Sequence, residues 1–199
     1  MKNILVLYYS QSGQLGQILS NLVKPLQSDD NCIVTVQEIE PKESYAFPWN
    51  KKDFMQVFPE SFLQIPKPNK LLPKEIKNKK YDLIILGYTV WYLSPSIPVN
   101  SFLQGEEAKD LLANVPVITV NGSRNMWILA QEKIKKLLVN CKAQLVGNIA
   151  LVDRHWNHIS VITIVHWMMG GKKTKYLGVF PKPGVSDRDI NEADKFGVV

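Results

Sequence analysis

The chain has 199 residues, of which 45% are hydrophobic and 21% are charged. These values are near the average for folded globular proteins, so they exclude a disordered chain, a fibrous chain and a disulfide-rich mini-protein. The length suits one domain, here residues 1–199. The formal charge is +6, which is too small an excess for a dedicated nucleic-acid groove, so we expect no nucleic-acid partner.

Cysteine usage and apolar runs bear on where the protein works. Cys32 and Cys141 lie far apart and have no metal-ligand spacing, so we expect free thiols, a reducing compartment and no metal site. The first apolar run, residues 4–9, is shorter than a signal-peptide core, and no run approaches the roughly 18 apolar residues of a membrane span. The sequence therefore predicts a cytoplasmic protein and leaves contact with a membrane surface open.

Apolar runs predict five strands, at residues 4–9, 33–36, 83–88, 115–120 and 145–152. Three of them are nearly continuous in Val, Ile and Leu, which is typical of parallel strands covered on both faces. Helical spacing connects Leu15, Ile18, Leu19, Leu22 and Val23 after the first strand, and Trp127, Ile128, Ile134, Leu137 and Leu138 after the fourth. Alternating strands and helices predict βαβ units, and therefore an α/β fold with a small doubly wound sheet.

Two segments depart from this alternation. Residues 41–73 contain six prolines and six aromatic residues, and we expect an irregular flap that either packs on the body or covers a substrate. Residues 153–199 form a C-terminal extension, in which residues 158–169 predict a helix that is apolar almost all round. A place in the core, a homo-oligomer contact and a membrane surface are the alternatives, and the first two are favoured. Ser186 then predicts a helix N-cap, with Asp189 at the third helical position.

The first strand runs directly into a turn rich in hydroxyl groups and glycine, and then into a helix. Backbone N–H groups and the hydroxyls of Ser10 and Ser12 would meet there at a helix N-terminus, where the helix dipole favours a phosphate. Gly13 permits the tight turn. The turn has no Lys or Arg, which indicates a phosphate monoester rather than a triphosphate. A plain strand-to-helix turn with a capping serine is the alternative.

This segment, Ser10-x-Ser12-Gly13 after an apolar strand, resembles the flavodoxin phosphate loop. The resemblance implies a flavodoxin-like three-layer α/β/α sandwich, with a five-stranded parallel sheet of order 2-1-3-4-5 and FMN as the cofactor. The matching phosphate-binding positions are Ser10, Gln11, Ser12, Gly13, Gln14 and Leu15. Leu15 departs from the family, which usually has a second hydroxyl residue there, so one donor is lost.

The resemblance extends to the loops after the third and fourth strands, at the sheet edge where open α/β sheets bind ligands. In flavodoxin-like reductases the first of these loops wraps the flavin ring, and its counterparts here are Tyr88, Thr89, Val90, Trp91 and Tyr92. Thr89 replaces a proline of the family, and the aromatic residues could instead belong to the core. The second loop touches the ring edge, and its counterparts are Asn121, Gly122, Ser123 and Asn125. Arg124 would stabilise a reduced flavin or an enolate substrate, or would lie in solvent.

Several motifs together resemble the dialkylresorcinol condensing enzymes of aryl-lipid pigment pathways. They are YYSQSGQ, FPW at residues 47–49, YDLIILGY from Tyr81, NGSRNMW and YLGVFPKPGVS. The chain has no Cys-His-Asn constellation for condensation, so the resemblance implies redox chemistry on a cyclic diketone, a resorcinol or a quinone-type ring. His155 and His158 are candidate bases that Asp153 could orient, with a surface or packing role as the alternative. His166, in the apolar segment, is predicted to be buried.

Two other functions remain open. The first is a general NAD(P)H-dependent FMN or quinone reductase, with NAD(P)H as a second cofactor. The second is a non-catalytic module, either an electron carrier or a flavin-less partner of a ketosynthase. A charge of +6 argues against a carrier that docks on basic reductases. Leu15 and Thr89 are the departures that favour loss of flavin binding.

Overall fold

Five long strands form one parallel sheet in the computed structural model, which describes residues 1–198 apart from the side chain of residue 157. The strands are β1 (Lys2–Tyr8), β2 (Cys32–Glu38), β3 (Leu83–Tyr88), the short pair β4 (Val90–Trp91) and β5 (Ser94–Pro95), β6 (Pro116–Ser123) and β7 (Gln144–Val152). The sheet order is β2-β1-β3-β6-β7, and β4 pairs with β5 separately. The predicted order is confirmed, and every predicted strand boundary lies within about three residues of the observed one.

The central strands are buried on both faces, which explains their continuous apolar runs. In β1, Leu5 and Leu7 belong to one core cluster, while Ile4 and Val6 belong to the other. Successive side chains of a strand point to opposite faces, so a strand between two helical layers needs apolar residues at every position.

Helices cover the sheet on both sides. They are α1 (Gln14–Leu22), α2 (Lys24–Gln27), α3 (Lys51–Phe62), α4 (Lys74–Lys77), α5 (Ile97–Gln104), α6 (Glu106–Leu112), α7 (Ile128–Asn140), α8 (Asn157–Gly170) and α9 (Asp187–Asn191), with short 3-10 segments at Tyr176–Gly178 and Glu192–Phe196. α1 packs with α9 and the last 3-10 segment on one face. α5, α6 and α7 contribute to the core cluster on the other face. The three-layer sandwich is confirmed.

Two helical predictions need correction. In α7, Ile134, Leu137 and Leu138 are buried as expected, but Trp127 precedes the helix and Ile128 is 61% exposed. The flap is not irregular throughout, because it contains the twelve-residue helix α3. Its N-cap is Asn50, whose side chain accepts a hydrogen bond from the main chain three residues on, and this cap offsets the weak helical pattern of the sequence.

The C-terminal extension completes the second face of the sheet. The Ser186 hydroxyl accepts a hydrogen bond from Asp189 N at 3.0 Å, which confirms the predicted N-cap of α9. Val185 and Ile190 are buried in the same core cluster as α1. Cys32 and Cys141 are both free thiols. Among the described helices, none has the length and apolar character needed to cross a membrane.

Candidate functional site

The three predicted loops meet at the carboxyl edge of the sheet. They follow β1, β3 and β6, which are neighbours in the sheet. β1 pairs with β2 on one side and with β3 on the other, so β1 and β3 flank the point where the strand order reverses, which is where open α/β sheets bind ligands. Residues 10–15, 88–92 and 121–125 together form what we call the three-loop site.

The first loop leaves the N-terminus of α1 available to a ligand. Gly13 is the N-cap, with the left-handed φ of 80° that glycine tolerates, and the N-cap residue itself makes no side-chain cap hydrogen bond. A Cβ added at Gly13 would meet nothing within 4 Å. The Ser10 hydroxyl accepts a long hydrogen bond, 3.4 Å, from Gly16 N, and Ser12 is half-buried. First-turn N–H groups beside hydroxyls and open space suit an anion.

The longer side chains of this loop bind other parts of the chain. Gln11 donates to Ala46 O at 2.9 Å and accepts from Trp49 Nε1 at 3.1 Å, both in the flap. Gln14 Oε1 accepts from Val185 N at 3.1 Å in the C-terminal extension. Leu15 is 1% exposed and lies in the core. These contacts fix the loop in place but remove these three side chains from the open side of the site.

A carboxylate lies near the start of the same loop. Glu38 Oε1 is 3.5 Å from Ser10 N. Burial raises the pKa of Glu38, the contact with Ser10 N opposes this shift, and Glu40 adds to it.

A buried polar network joins the second and third loops, which follow β3 and β6. Tyr88 is fully buried; its hydroxyl donates to Gln131 Oε1 at 2.8 Å and accepts from Asn121 Nδ2 at 3.1 Å. Asn121 Oδ1 in turn accepts from the Ser123 hydroxyl at 2.8 Å. The side chains of Tyr88 and Asn121 therefore belong to the core, and only their main chain is available to a ligand. Gln131 was not predictable from the sequence, because its position in α7 belongs to no motif.

Trp91 connects the second loop to the flap. It is 7% exposed, and its ring meets those of Tyr9, Tyr45 and Trp49 edge-on, with centroids 5.9, 5.0 and 5.5 Å away. Trp49 N also donates to Met168 O at 2.7 Å, which links the flap to α8. Edge-to-face contacts of this kind stabilise beyond the area that they bury.

The same loop has a strained turn and an unsatisfied polar atom. Tyr92 and Leu93 have φ of 48° and 62° in the two-residue turn between β4 and β5. Asn and Gly usually fill such turns, and larger side chains there store strain, which is commonest at functional sites. Val90 pairs with Pro95 across the turn. The hydroxyl oxygen of Thr89 is buried, and no described group is its hydrogen-bond partner.

The third loop approaches α1 closely and holds its arginine firmly. A Cβ at Gly122 would lie 2.6 Å from Ile18 Cδ1, so a larger residue here would force the Ile18 side chain to move. Asn125 is exposed. Arg124 is half-buried and donates from Nε to the Ser160 hydroxyl at 3.1 Å. Burial lowers the pKa of Arg124, and Asp153 opposes that shift. Arg124 is therefore not the solvated surface arginine that the sequence also allowed.

Asp153 organises the end of β7. Its Oδ2 accepts from the Ser160 hydroxyl at 2.7 Å, and its Oδ1 accepts from the main-chain N of His155 at 3.0 Å. The expectation that Asp153 orients an imidazole is corrected, because it binds the backbone of His155 instead of its ring. His155 and His158 are exposed. His155 also lines a cavity of about 420 Å³ with Arg154 and Gly184.

α8, the flap and the C-terminal extension together cover the three-loop site. Trp167 of α8 is 5% exposed and meets Phe47 of the flap edge-on at 6.1 Å. A Cβ at Gly184 would lie 2.6 Å from Gln14 Oε1 and 2.9 Å from Trp167 Cζ3, so the segment around Gly184 packs closely on the first loop and on α8. His166 is half-buried and contacts Tyr176, which corrects the expectation of full burial.

Two tyrosines of the flap region give a testable pH dependence. Burial raises the pKa of Tyr45 and of Tyr92 to about 12, against 10 for an exposed tyrosine. Ionisation of these tyrosines is therefore harder in the folded state than in the unfolded state. The contribution of the two neutral hydroxyls to the free energy of unfolding is complete below pH 10 and is lost as the pH rises toward 12. We expect a 295 nm absorbance titration to show tyrosines ionising above pH 11, and Tyr45→Phe with Tyr92→Phe to remove two of them. Ionisation of every tyrosine near pH 10 in the folded protein would contradict this prediction.

The comparisons with known proteins agree on the fold. No family model and no curated protein matches the chain. The FMN complex of a flavoprotein from Lactobacillus acidophilus NCFM is 17% identical, with 75% of this chain and 93% of that chain covered and a TM-score of 0.58. Oxidised flavodoxin 1 from Bacillus cereus is 11% identical, with 98% and 94% covered and a TM-score of 0.52. At such identities the likeness shows the fold alone, and the fold is flavodoxin-like.

Proposed function

We propose that the protein is an FMN-binding oxidoreductase. The observation that carries the proposal is the N-terminus of α1 behind Ser10, Ser12 and Gly13, with open space at Gly13 and a position beside the β1–β3 switch point of the sheet. The phosphate would bind the hydroxyls and N–H groups of this loop. Main-chain groups of residues 88–92 and 122–125, with the unpartnered hydroxyl of Thr89, would hold the ring. FMN, when bound, supplies hydride transfer.

The residues around the site suit such chemistry in two ways. Arg124 is held by Ser160 and lies near Asp153, so its positive charge has a fixed position beside the third loop. A fixed charge of this kind stabilises negative charge that develops on a substrate. The flap and α8 would exclude water from the covered edge of the sheet, since Trp49 and Trp167 are both nearly fully buried there.

For the substrate we propose an alkylated ring of the cyclic diketone, resorcinol or quinone type, as in aryl-lipid biosynthesis. The support is the resemblance of several sequence motifs to dialkylresorcinol condensing enzymes, together with the buried Trp167 of α8 and the aromatic flap beside the site. In the oxidation of a cyclic diketone to a resorcinol, one hydrogen leaves as a hydride and one as a proton. His155 or His158 would take the proton. Steady NAD(P)H oxidation with simple quinones would instead favour a general reductase.

The proposal is tested by flavin retention. We expect the purified protein, after incubation with FMN and desalting, to keep the visible bands of oxidised flavin. Ser12→Asp places a carboxylate against the phosphate and should weaken FMN binding by at least about tenfold, as measured by flavin fluorescence titration. Ser20→Asp, the same change at an exposed position of α1, is the matched control and should leave binding unchanged.

A non-catalytic flavodoxin-like partner of a ketosynthase is the second candidate. It is favoured by Gln11 and Gln14, whose side chains bind the flap and the extension, and by the burial of Leu15 at the hydroxyl position of flavodoxins. A folded protein that binds no FMN at any concentration would overturn the first proposal and support this one. Equal FMN binding by Ser12→Asp and by the unmodified chain would show that the flavin lies elsewhere.

A further inference from the structure

Helix α8 exposes its apolar residues and buries its small polar ones. Val161, Ile162 and Val165 are 41%, 46% and 42% exposed, whereas Ser160 and Thr163 are 2% and 0% exposed. At about 3.6 residues per turn, the three exposed residues fall within an arc of about 100° opposite the buried stripe. The apolar arc is therefore a surface of the protein and not part of its core, which corrects the expectation of a core helix.

Further exposed apolar side chains lie just before the N-terminus of α8 and in the segment that follows its C-terminus. Trp156, just before α8, is 82% exposed, and Leu177 and Val179 are 71% and 84% exposed. The 3-10 segment that holds Leu177 lies against α8, because Tyr176 contacts His166 with ring centroids 4.6 Å apart. The name α8 surface is used for Trp156, Val161, Ile162, Val165, Leu177 and Val179. Exposed apolar groups of this size are rare in monomeric proteins unless they bind something.

Exposed lysines lie at the C-terminal end of the α8 surface. Residues 154–186 contain five basic residues and no acidic residue, against +6 for the whole chain. Arg154, Lys173 and Lys182 bond to carboxylates of α9. Lys172 and Lys175, directly after the C-terminus of α8, are exposed. An apolar face with basic residues at its end is complementary to a surface that is apolar inside and anionic outside.

The dimensions of α8 favour lying on a bilayer over crossing one. Its 14 residues extend about 21 Å, which is shorter than the roughly 30 Å hydrocarbon core. An exposed tryptophan at one end and lysines at the other are the side chains that prefer the membrane interface.

We propose that the α8 surface docks the protein on an anionic phospholipid bilayer. Val161, Ile162 and Val165 enter the boundary between head groups and acyl chains, and Lys172 and Lys175 contact lipid phosphates. The inference rests on exposure and charge and does not depend on the cofactor. The opposite face of α8 carries Ser160, which binds Arg124 of the third loop. Docking through the α8 surface therefore places the three-loop site close to the bilayer, on the far side of α8.

The test is flotation of the purified full chain with vesicles. We expect the protein to float with vesicles of phosphatidylglycerol and phosphatidylcholine, and at least tenfold less with phosphatidylcholine alone. Val161→Asp with Val165→Asp should reduce binding at least tenfold, because two carboxylates would enter the apolar region. Val139→Asp is the matched control, since Val139 is a 71% exposed valine on α7, and it should bind as the unmodified chain does.

A second pair of variants tests the charge separately. Lys172→Gln with Lys175→Gln should weaken binding to the anionic vesicles by about 25-fold, since each basic residue near such a surface contributes about fivefold. This pair keeps the test decisive if the aspartate pair fails to fold. The proposal is overturned if the unmodified chain does not float, if both pairs float as it does, or if light scattering shows a dimer that the aspartate pair dissociates while vesicle binding is absent.

Discussion

Trp91→Ala is expected to lower the free energy of unfolding by about 3–5 kcal/mol, the usual cost of removing a large buried aromatic side chain. Trp91 is 7% exposed and contacts Tyr9, Tyr45 and Trp49 edge-on. Its removal leaves a cavity between the loop after β3 and the flap, and it takes away three aromatic contacts at once. Urea denaturation followed by far-UV circular dichroism measures the loss.

Trp156→Ala is the matched control for this prediction. Trp156 is 82% exposed, so the same truncation removes little buried surface and should change the free energy of unfolding by less than about 0.5 kcal/mol. Equal effects of the two substitutions would show that the aromatic cluster does not hold the flap. The pair also separates folding from membrane docking, because Trp156 belongs to the α8 surface and Trp91 does not.

Gly87→Ala is expected to destabilise the protein by about 1–3 kcal/mol through overpacking at the centre of the sheet. A Cβ at Gly87 would lie 2.6 Å from Leu19 Cδ1 and 2.7 Å from Tyr8 Cβ. The second neighbour is close to the backbone of β1 and cannot move alone, so either α1 or a strand must shift. Because α1 and Tyr8 flank the first loop of the three-loop site, the proposed FMN binding should weaken in the same variant.

Gly147→Ala provides the comparison within the same sheet. A Cβ at Gly147 would lie 3.4 Å or more from its nearest neighbour, a side-chain atom of Ile118. Alanine in a strand costs less conformational entropy than glycine, so this variant should be as stable as the unmodified chain or slightly more so. Thermal unfolding of the two variants under one condition makes the comparison, and equal losses would contradict the packing argument.

The structure ties the proposed site to the membrane inference through one helix. The buried side of α8 contributes Ser160, which binds both Arg124 and Asp153. Its exposed side contributes the apolar residues of the α8 surface. A change in how α8 lies on the body would therefore act on Arg124 directly. The role of Ser160 could not be predicted from the sequence, because a single serine in an apolar helix belongs to no motif.

The sequence by itself determined the α/β class and the position of the three loops, whereas the strand order was implied by the resemblance to flavodoxins. Its apolar runs have the length and continuity of strands buried on both faces, and this pattern is local, so it can be recognised without knowing any contact. The phosphate-loop prediction had the same basis, because Ser10, Ser12 and Gly13 lie within four residues of one another between a strand and a helix. The N-cap at Ser186 was likewise predictable from residues three positions apart.

Only the tertiary structure decided which side chains of these loops remain available. Gln11 bonds to Ala46, 35 residues away, and Gln14 bonds to Val185, 171 residues away. Tyr88 reaches Gln131 across the core. The side of α8 that faces the body was also undecided, because a helix that is apolar almost all round has no amphipathic pattern to orient it. Such partners are set by how distant elements pack, and no local spacing of residues encodes that geometry.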